Sequence, residues 1–196
     1  MAVARVGVMG GSFDPIHLGH LVAANEVAQR LDLDSVVFVP AGLPWQKGEI
    51  TSAQDRLHMV QLAIANNPKF EVSRCDIDRA GPSYTVDTLV DLGIEKPGAE
   101  LFFVGGSDAI SAMESWHQAE RIFDLATVVA VTRPGHKLEP KVGLKSILSV
   151  EIPLLEVSST EIRRRVSNGE PIRYLVPDAV ADYIFGKKLY LGGSVD

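Results

Sequence analysis

Arg5-Val6-Gly7-Val8-Met9-Gly10-Gly11-Ser12-Phe13-Asp14-Pro15-Ile16-His17-Leu18-Gly19-His20 carries three kinds of local structure in one short run. Residues 5–9 are apolar and partly β-branched, which suits a buried strand. Gly10 and Gly11 end that strand in a turn where backbone can approach a ligand closely. From Leu21 onward, Leu21, Ala24, Val27, Ala28 and Leu31 fall on one face at helical spacing. Strand, glycine turn and helix in succession open a parallel α/β sheet, and the helix start is a place where free N–H groups receive anions.

The same alternation continues outward. Residues 35–39, 70–74, 101–104, 127–131 and 150–152 read as strands, several apolar on both faces. Leu57, Val60, Ala63 and Ile64 mark a second amphipathic helix, with Thr51 and Gln54 as its expected capping box and Asn66-Asn67-Pro68 as its end. Right-handed crossovers then predict a Rossmann-like, doubly wound parallel sheet with helices on both faces. No repeat or linker divides the chain, so residues 1–196 are expected to form a single domain, with a helical part at about 158–190. Ligands should bind in the loops beyond the carboxyl ends of the strands.

Composition narrows the chemistry. Apolar residues make up 46% and charged residues 22%, an ordinary globular balance. A net charge of -6 argues against a nucleic-acid surface, so an anionic ligand needs a local site. The lone Cys75 excludes an internal disulfide and is expected to be inert at a strand end. No apolar run approaches a membrane span, and the N-terminus runs directly into a strand pattern, so the expected location is the cytoplasm, without membrane attachment.

The loop itself matches neither GxGxxG nor the P-loop GxxxxGK[ST], which disfavours a nicotinamide dehydrogenase or a Walker-type ATPase. His17 and His20 lie three apart with glycine between them and can converge on one anion at the helix start. A tight turn with a helix cap is the plain alternative. No suitably spaced Cys or His completes a zinc site, so no protein-held metal is expected.

Gly10–His20 resembles the signature of the nucleotidylyltransferase superfamily, in which the His-x-Gly-His pair binds ATP phosphates. The resemblance implies that Gly10, Gly11, Ser12, Phe13, His17 and His20 bind ATP. Val157-Ser158-Ser159-Thr160-Glu161-Ile162-Arg163 resembles the second signature, Ile-Ser-Ser-Thr-x-Ile-Arg, with valine for isoleucine. That likeness assigns Ser158, Ser159, Thr160 and Arg163 to the triphosphate; read alone, Ser158 and Glu161 make a capping box. His17, His20 and Arg163 are the expected catalytic set.

Three segments resemble the nicotinate branch of the superfamily. Ser83-Tyr84-Thr85 with Thr88-Leu89 matches its Ser-Tyr-Thr-x-x-Thr-Leu stretch, and Gly106-Ser107-Asp108 matches its Gly-x-Asp. The branch implies that Asp108 binds the ribose of a mononucleotide, that Trp116 stacks on a pyridine ring, and that Thr85 and the His117 N–H hold a carboxylate. A core anchor is the other reading of Trp116. Arg133-Pro134-Gly135 matches a loop common in the family, placing Arg133 near substrate.

Pantetheine-phosphate adenylyltransferases usually carry threonine in place of His17, cytidylyltransferases a different second motif, and class I aminoacyl-tRNA ligases a lysine loop missing here. The implied reaction joins ATP to nicotinic acid mononucleotide, with Mg²⁺ carried mainly by the phosphates. A binding-only nucleotide sensor is the rival reading. Most relatives read Pro-Pro-His-Lys where this chain reads Pro44-Trp45-Gln46-Lys47, and Trp45-Gln46-Lys47 resembles the actinobacterial branch instead. Glycines at both ends of residues 41–49 suggest a lid that carries Lys47 to a substrate phosphate, with a solvent-exposed lysine as the alternative. Oligomeric state, homo-oligomer included, is left open by the sequence.

Overall fold

The computed structural model describes residues 3–44, 50–132, 147–153 and 155–191. Six parallel strands form the sheet: β1 (Arg5–Gly11), β2 (Ser35–Pro40), β3 (Phe70–Val72), β4 (Glu100–Gly106), β5 (Thr127–Thr132) and β6 (Leu148–Glu151). Their spatial order is β3-β2-β1-β4-β5-β6. The order reverses direction between β1 and β4, which is the topological switch point of a doubly wound sheet.

Strand period divides the core in two. Met9, Phe38, Phe102, Val104 and Val129 face one side, where they meet α1 (Leu18–Arg30), α2 (Ala53–Ile64), α7 (Ser159–Ser167) and α8 (Asp178–Gly186). Val6, Val8, Val37, Val39, Phe103 and Val128 face the other, against α4 (Thr85–Glu95), α5 (Ser107–Ser111) and α6 (Ala119–Leu125). Burial on both faces explains the near-continuous apolar strands. Each fully buried Val, Leu or Phe contributes about 1.5–3 kcal/mol relative to exposure.

The six strand expectations hold, with ends shifted by a few residues. The capping expectation for α2 is corrected by one position: Ser52, not Thr51, is the cap, and its Oγ accepts from the Asp55 N–H at 3.1 Å. Thr51 is committed elsewhere, its N–H to the Asp14 carboxylate at 3.3 Å and its carbonyl to Arg56 at 2.9 Å. The α7 cap stands as expected on Ser158, whose Oγ accepts from the Glu161 N–H at 3.2 Å. Glu161 does not reach back to complete a box; it pairs with Arg164 and Arg165. Cys75 opens α3 (Cys75–Asp78) just past β3, where burial pushes its thiol up to about 11 and keeps it unreactive.

The expected lid is only partly described, because residues 45–49, Lys47 among them, lie outside the described residues. Its leading end is clamped, which corrects the idea of a free glycine hinge at Gly42. The Gly42 N–H donates to Ser83 Oγ at 2.9 Å, Ser83 N–H donates to the Leu43 carbonyl, and Gly42 has no room for a side chain. A Cβ there would stand 2.2 Å from the Asp76 carbonyl oxygen. Gly42→Ala is therefore expected to lower the unfolding free energy by about 3 kcal/mol in urea titrations; an unchanged midpoint would show that the two loops part without cost.

Candidate active site

The loop between β1 and α1 is held through its carbonyl groups. Arg56 Nη1 donates to the Ser12 carbonyl at 2.7 Å, Arg163 Nη1 to the Asp14 carbonyl at 2.6 Å, and Ser159 Oγ to the Pro15 carbonyl at 2.9 Å. Phe13, at a positive φ of 49° in the left-handed region, is tolerated because its ring is buried edge-on against His20 at 5.1 Å and beside Phe38. The Phe13 ring thus belongs to the core, and whatever it offers a ligand comes through its backbone.

His17 caps α1 and His20 sits in its first turn, with the two rings stacked at 3.7 Å. His20 Nδ1 accepts from the His17 backbone N–H at 3.2 Å. An accepting Nδ1 in a neutral imidazole puts the proton on Nε2, which makes His20 a donor at that nitrogen. His17 is buried, and among the described residues its Nδ1 has no hydrogen-bond partner. Burial lowers its pKa from 6.5 to about 4, so the ring is neutral at pH 7. Gly19 is what lets the ring lie there, since a Cβ on it would stand 3.0 Å from His17 Nδ1.

Two cavities open at the carboxyl ends of the strands. The first, about 350 Å³, includes His17, His20, Gly106, Asp108, Thr132 and Val157 in its wall. The second, about 330 Å³, includes Gly11, Ser12, Asp76, Ser83, Thr85 and Thr88. Gly10, Phe103, Ala109 and Trp116 line both, so the cavities meet at the switch point between β1 and β4. A third cavity of about 390 Å³ lies at the opposite ends of β4 and β5, around Glu100 and Thr127, away from every residue of the two motifs.

Trp116 packs edge-on against Phe103 at 5.9 Å and also borders both cavities. His117 lies against the Tyr84 ring at 4.5 Å, tying the Trp116 segment to the start of α4, where Thr85 faces the second cavity. Gly106 and Asp108, expected to bind the mononucleotide ribose, line the first cavity beside the histidines; β4 ends there and delivers them to that side of Trp116. Ser158, Ser159, Thr160 and Arg163 line neither cavity wall; Ser159 and Arg163 join the loop through the Pro15 and Asp14 carbonyls. Arg133 lies outside the described residues.

A family profile described as cytidylyltransferase-like matches residues 8–165. A protein of Leifsonia xyli named as a probable nicotinate-nucleotide adenylyltransferase is 56% identical over 188 residues, covering 95% of this chain and 94% of its own. One of the same name from Streptomyces coelicolor is 53% identical over 190 residues, covering 94% of this chain and 100% of its own. The chain belongs to the cytidylyltransferase-like family, in its nicotinate-nucleotide adenylyltransferase branch. The fold agrees: a Plasmodium falciparum nicotinic acid mononucleotide adenylyltransferase complexed with NaAD superposes with a TM-score of 0.79 at 22% identity, over 95% of this chain and 97% of that one.

For this adenylyltransferase family member, the sequence reading missed Arg56. Its side chain is fully buried, and besides Ser12 it donates to the carbonyls of Thr51, Ala41 and Gly42 at 2.9, 2.6 and 3.2 Å. One guanidinium so binds the loops after β1 and β2 to the start of α2. The available signal was an arginine four residues before Val60, on the apolar stripe of its helix.

His17 gives the site an acid-side stability limit. Because its folded pKa lies below its unfolded value, the unfolded chain takes up the proton first as pH falls. The stability is whole above pH 6.5 and is lost on descent toward the folded value of about 4. At about 1.4 kcal/mol per pH unit, the loss attributable to His17 reaches about 2 kcal/mol by pH 5. Urea unfolding at pH 7 and pH 5 should show wild type losing that much more than His17→Gln; equal losses would mean that His17 does not stay neutral in the fold.

Proposed function

We propose that the chain transfers the adenylyl group of ATP to nicotinic acid mononucleotide, giving deamido-NAD and pyrophosphate, a step of NAD biosynthesis. The observation that carries this reading is the pair of cavities sharing Gly10 and Trp116, one walled by the histidine pair and the other by Thr85 at a helix start. ATP occupies the first, with Asp108 beside its ribose, and the mononucleotide the second. Its pyridine ring lies on Trp116, and its carboxylate meets Thr85 and the His117 N–H, helped by the positive end of α4.

An oxygen of the mononucleotide 5′-phosphate attacks the ATP α-phosphorus in line. The bond to the β-phosphate oxygen breaks, and pyrophosphate leaves with that electron pair. No protein nucleophile is needed, so positioning and charge stabilisation supply the rate. His20 donates from Nε2 to the phosphates, the α1 start adds its dipole, and His17 lies stacked beneath. Arg163 and the Ser159-Thr160 turn, seated on the Asp14-Pro15 carbonyls, hold the leaving pyrophosphate. Asp14 is no general base, because its carboxylate accepts from Tyr190 and Thr51 and the attacking phosphate has no proton to lose.

Mg²⁺ arrives with the triphosphate in this reading and, when bound, neutralises part of its charge. The loop residues beside the phosphates fit such a passenger metal: they offer imidazoles, and their one carboxylate, Asp14, is already engaged. Among the described residues no group of three His, Cys, Asp or Glu could hold a metal ion. No described helix is long and apolar enough to cross a membrane.

Pyrophosphate release with ATP and each mononucleotide in turn tests the reading. Nicotinic acid mononucleotide should be preferred over the amide by at least about a hundredfold in kcat/KM, because an amide leaves the carboxylate donors unmatched; equal use of both would remove the clamp at Thr85 and His117. His17→Ala and His20→Ala should each lower kcat by about two to three orders of magnitude while remaining folded. Normal turnover in either variant would rule out its assigned role.

A further inference from the structure

Tyr190 lies beyond the family-profile match and outside both phosphate motifs, yet its hydroxyl reaches the loop between β1 and α1. It donates to Asp14 Oδ1 at 2.6 Å across 176 residues of sequence. Asp14 is buried, and its other carboxylate oxygen accepts from the Thr51 N–H at 3.3 Å. The backbone at this point is the seat of the second motif, because the Asp14 carbonyl receives Arg163 and the next carbonyl, Pro15, receives Ser159. Two residues later comes His17. Whatever fixes the Asp14 side chain therefore fixes Arg163, Ser159 and the start of α1 with respect to one another.

We propose that Tyr190 is a positioning residue for adenylyl transfer: its hydroxyl anchors the Asp14 carboxylate, and through the Asp14-Pro15 backbone it sets Arg163 and the histidine pair in register for the triphosphate. The inference rests on the adenylyltransferase reading of the same site.

The physical case has three parts. A buried carboxylate is costly unless its oxygens are supplied with donors, and a hydroxyl on a carboxylate is among the stronger hydrogen bonds. Arg56, the nearby buried cation, spends its donors on backbone carbonyls, and among the described residues Tyr190 and the Thr51 N–H donate to Asp14 itself. Burial and the contact with Asp14 also raise the Tyr190 phenol well above its ordinary value, so the O–H remains a donor throughout the working pH range. The ring packs against the core cluster that holds α1, α7 and α8, so the hydroxyl is aimed from a fixed support.

The effect is directional. Arg163, Ser159 and His17 serve the triphosphate, whereas Thr85 and Trp116, which serve the mononucleotide, make no contact with Asp14 or Tyr190 among the hydrogen bonds described. Tyr190→Phe keeps the ring and removes only the donor. Its KM for ATP in the forward reaction, and for pyrophosphate in the reverse reaction, should rise about tenfold. KM for the mononucleotide should stay within about twofold, and Tm should fall by only a few degrees. Tyr190→Leu, which also loses ring packing, should show the same split with a larger fall in Tm.

Unchanged KM values for ATP and pyrophosphate in Tyr190→Phe would overturn the proposal, and so would a parallel rise in all three. Should Tyr190→Phe not fold, the same split is read from Asp14→Asn, which keeps the side chain's shape and weakens the acceptor. Calorimetric binding of a non-hydrolysable ATP analogue to wild type and Tyr190→Phe separates the two readings. Wild type that binds the analogue but releases no pyrophosphate defeats the reaction assignment, whereas equal affinity in both proteins defeats the role of Tyr190.

Discussion

In the proposed reaction the N–H groups of the β1–α1 loop face phosphate, so its carbonyl groups need partners of their own. Here those partners are side chains from distant helices: Arg56 on Ser12, Arg163 on Asp14, Ser159 on Pro15. Buried carbonyls left unpaired would cost about 1–3 kcal/mol each. The arginines thus do two things at once, satisfying the loop and fastening α2 and α7 to it. The position of the second motif follows from this requirement, because α7 is seated on the loop that the first motif forms.

The charge on the site is local. The chain carries a net charge of -6, yet the proposed reaction asks its site to take a polyanion. In that reading attraction comes from the α1 start and from imidazole donors, with Arg56 and Arg163 on the loop carbonyls. A neutral, buried His17 beside a donating His20 favours phosphate without bringing two full positive charges together at 3.7 Å. Burial of this kind is tolerable only because Gly19 yields the space that the ring occupies.

Trp116 shows how one residue can pack in the core and still face the site. Its edge on Phe103 anchors the segment that follows α5, and the same ring borders the space on either side of the switch point. Two substrates that must meet at one phosphorus need adjoining cavities. The reversal of strand order between β1 and β4 is where a doubly wound sheet supplies them.

The residues alone determined the fold class, because strands buried on both faces carry apolar runs that no surface loop imitates, and helix stripes separate them. They also determined the two phosphate motifs, since a glycine turn, a histidine pair and a hydroxyl-rich helix start are local patterns. Tertiary structure alone decided which partners those motifs hold. Thr51 looked like a cap and proved to be a tie to Asp14 and Arg56; Asp108 proved to stand on the side of the histidines; Arg56 and Tyr190 entered the site from positions 44 residues downstream of Ser12 and 176 downstream of Asp14. Hydrogen bonds across such separations depend on how helices dock on the sheet, and docking is set by the whole core, not by the spacing of neighbours along the chain.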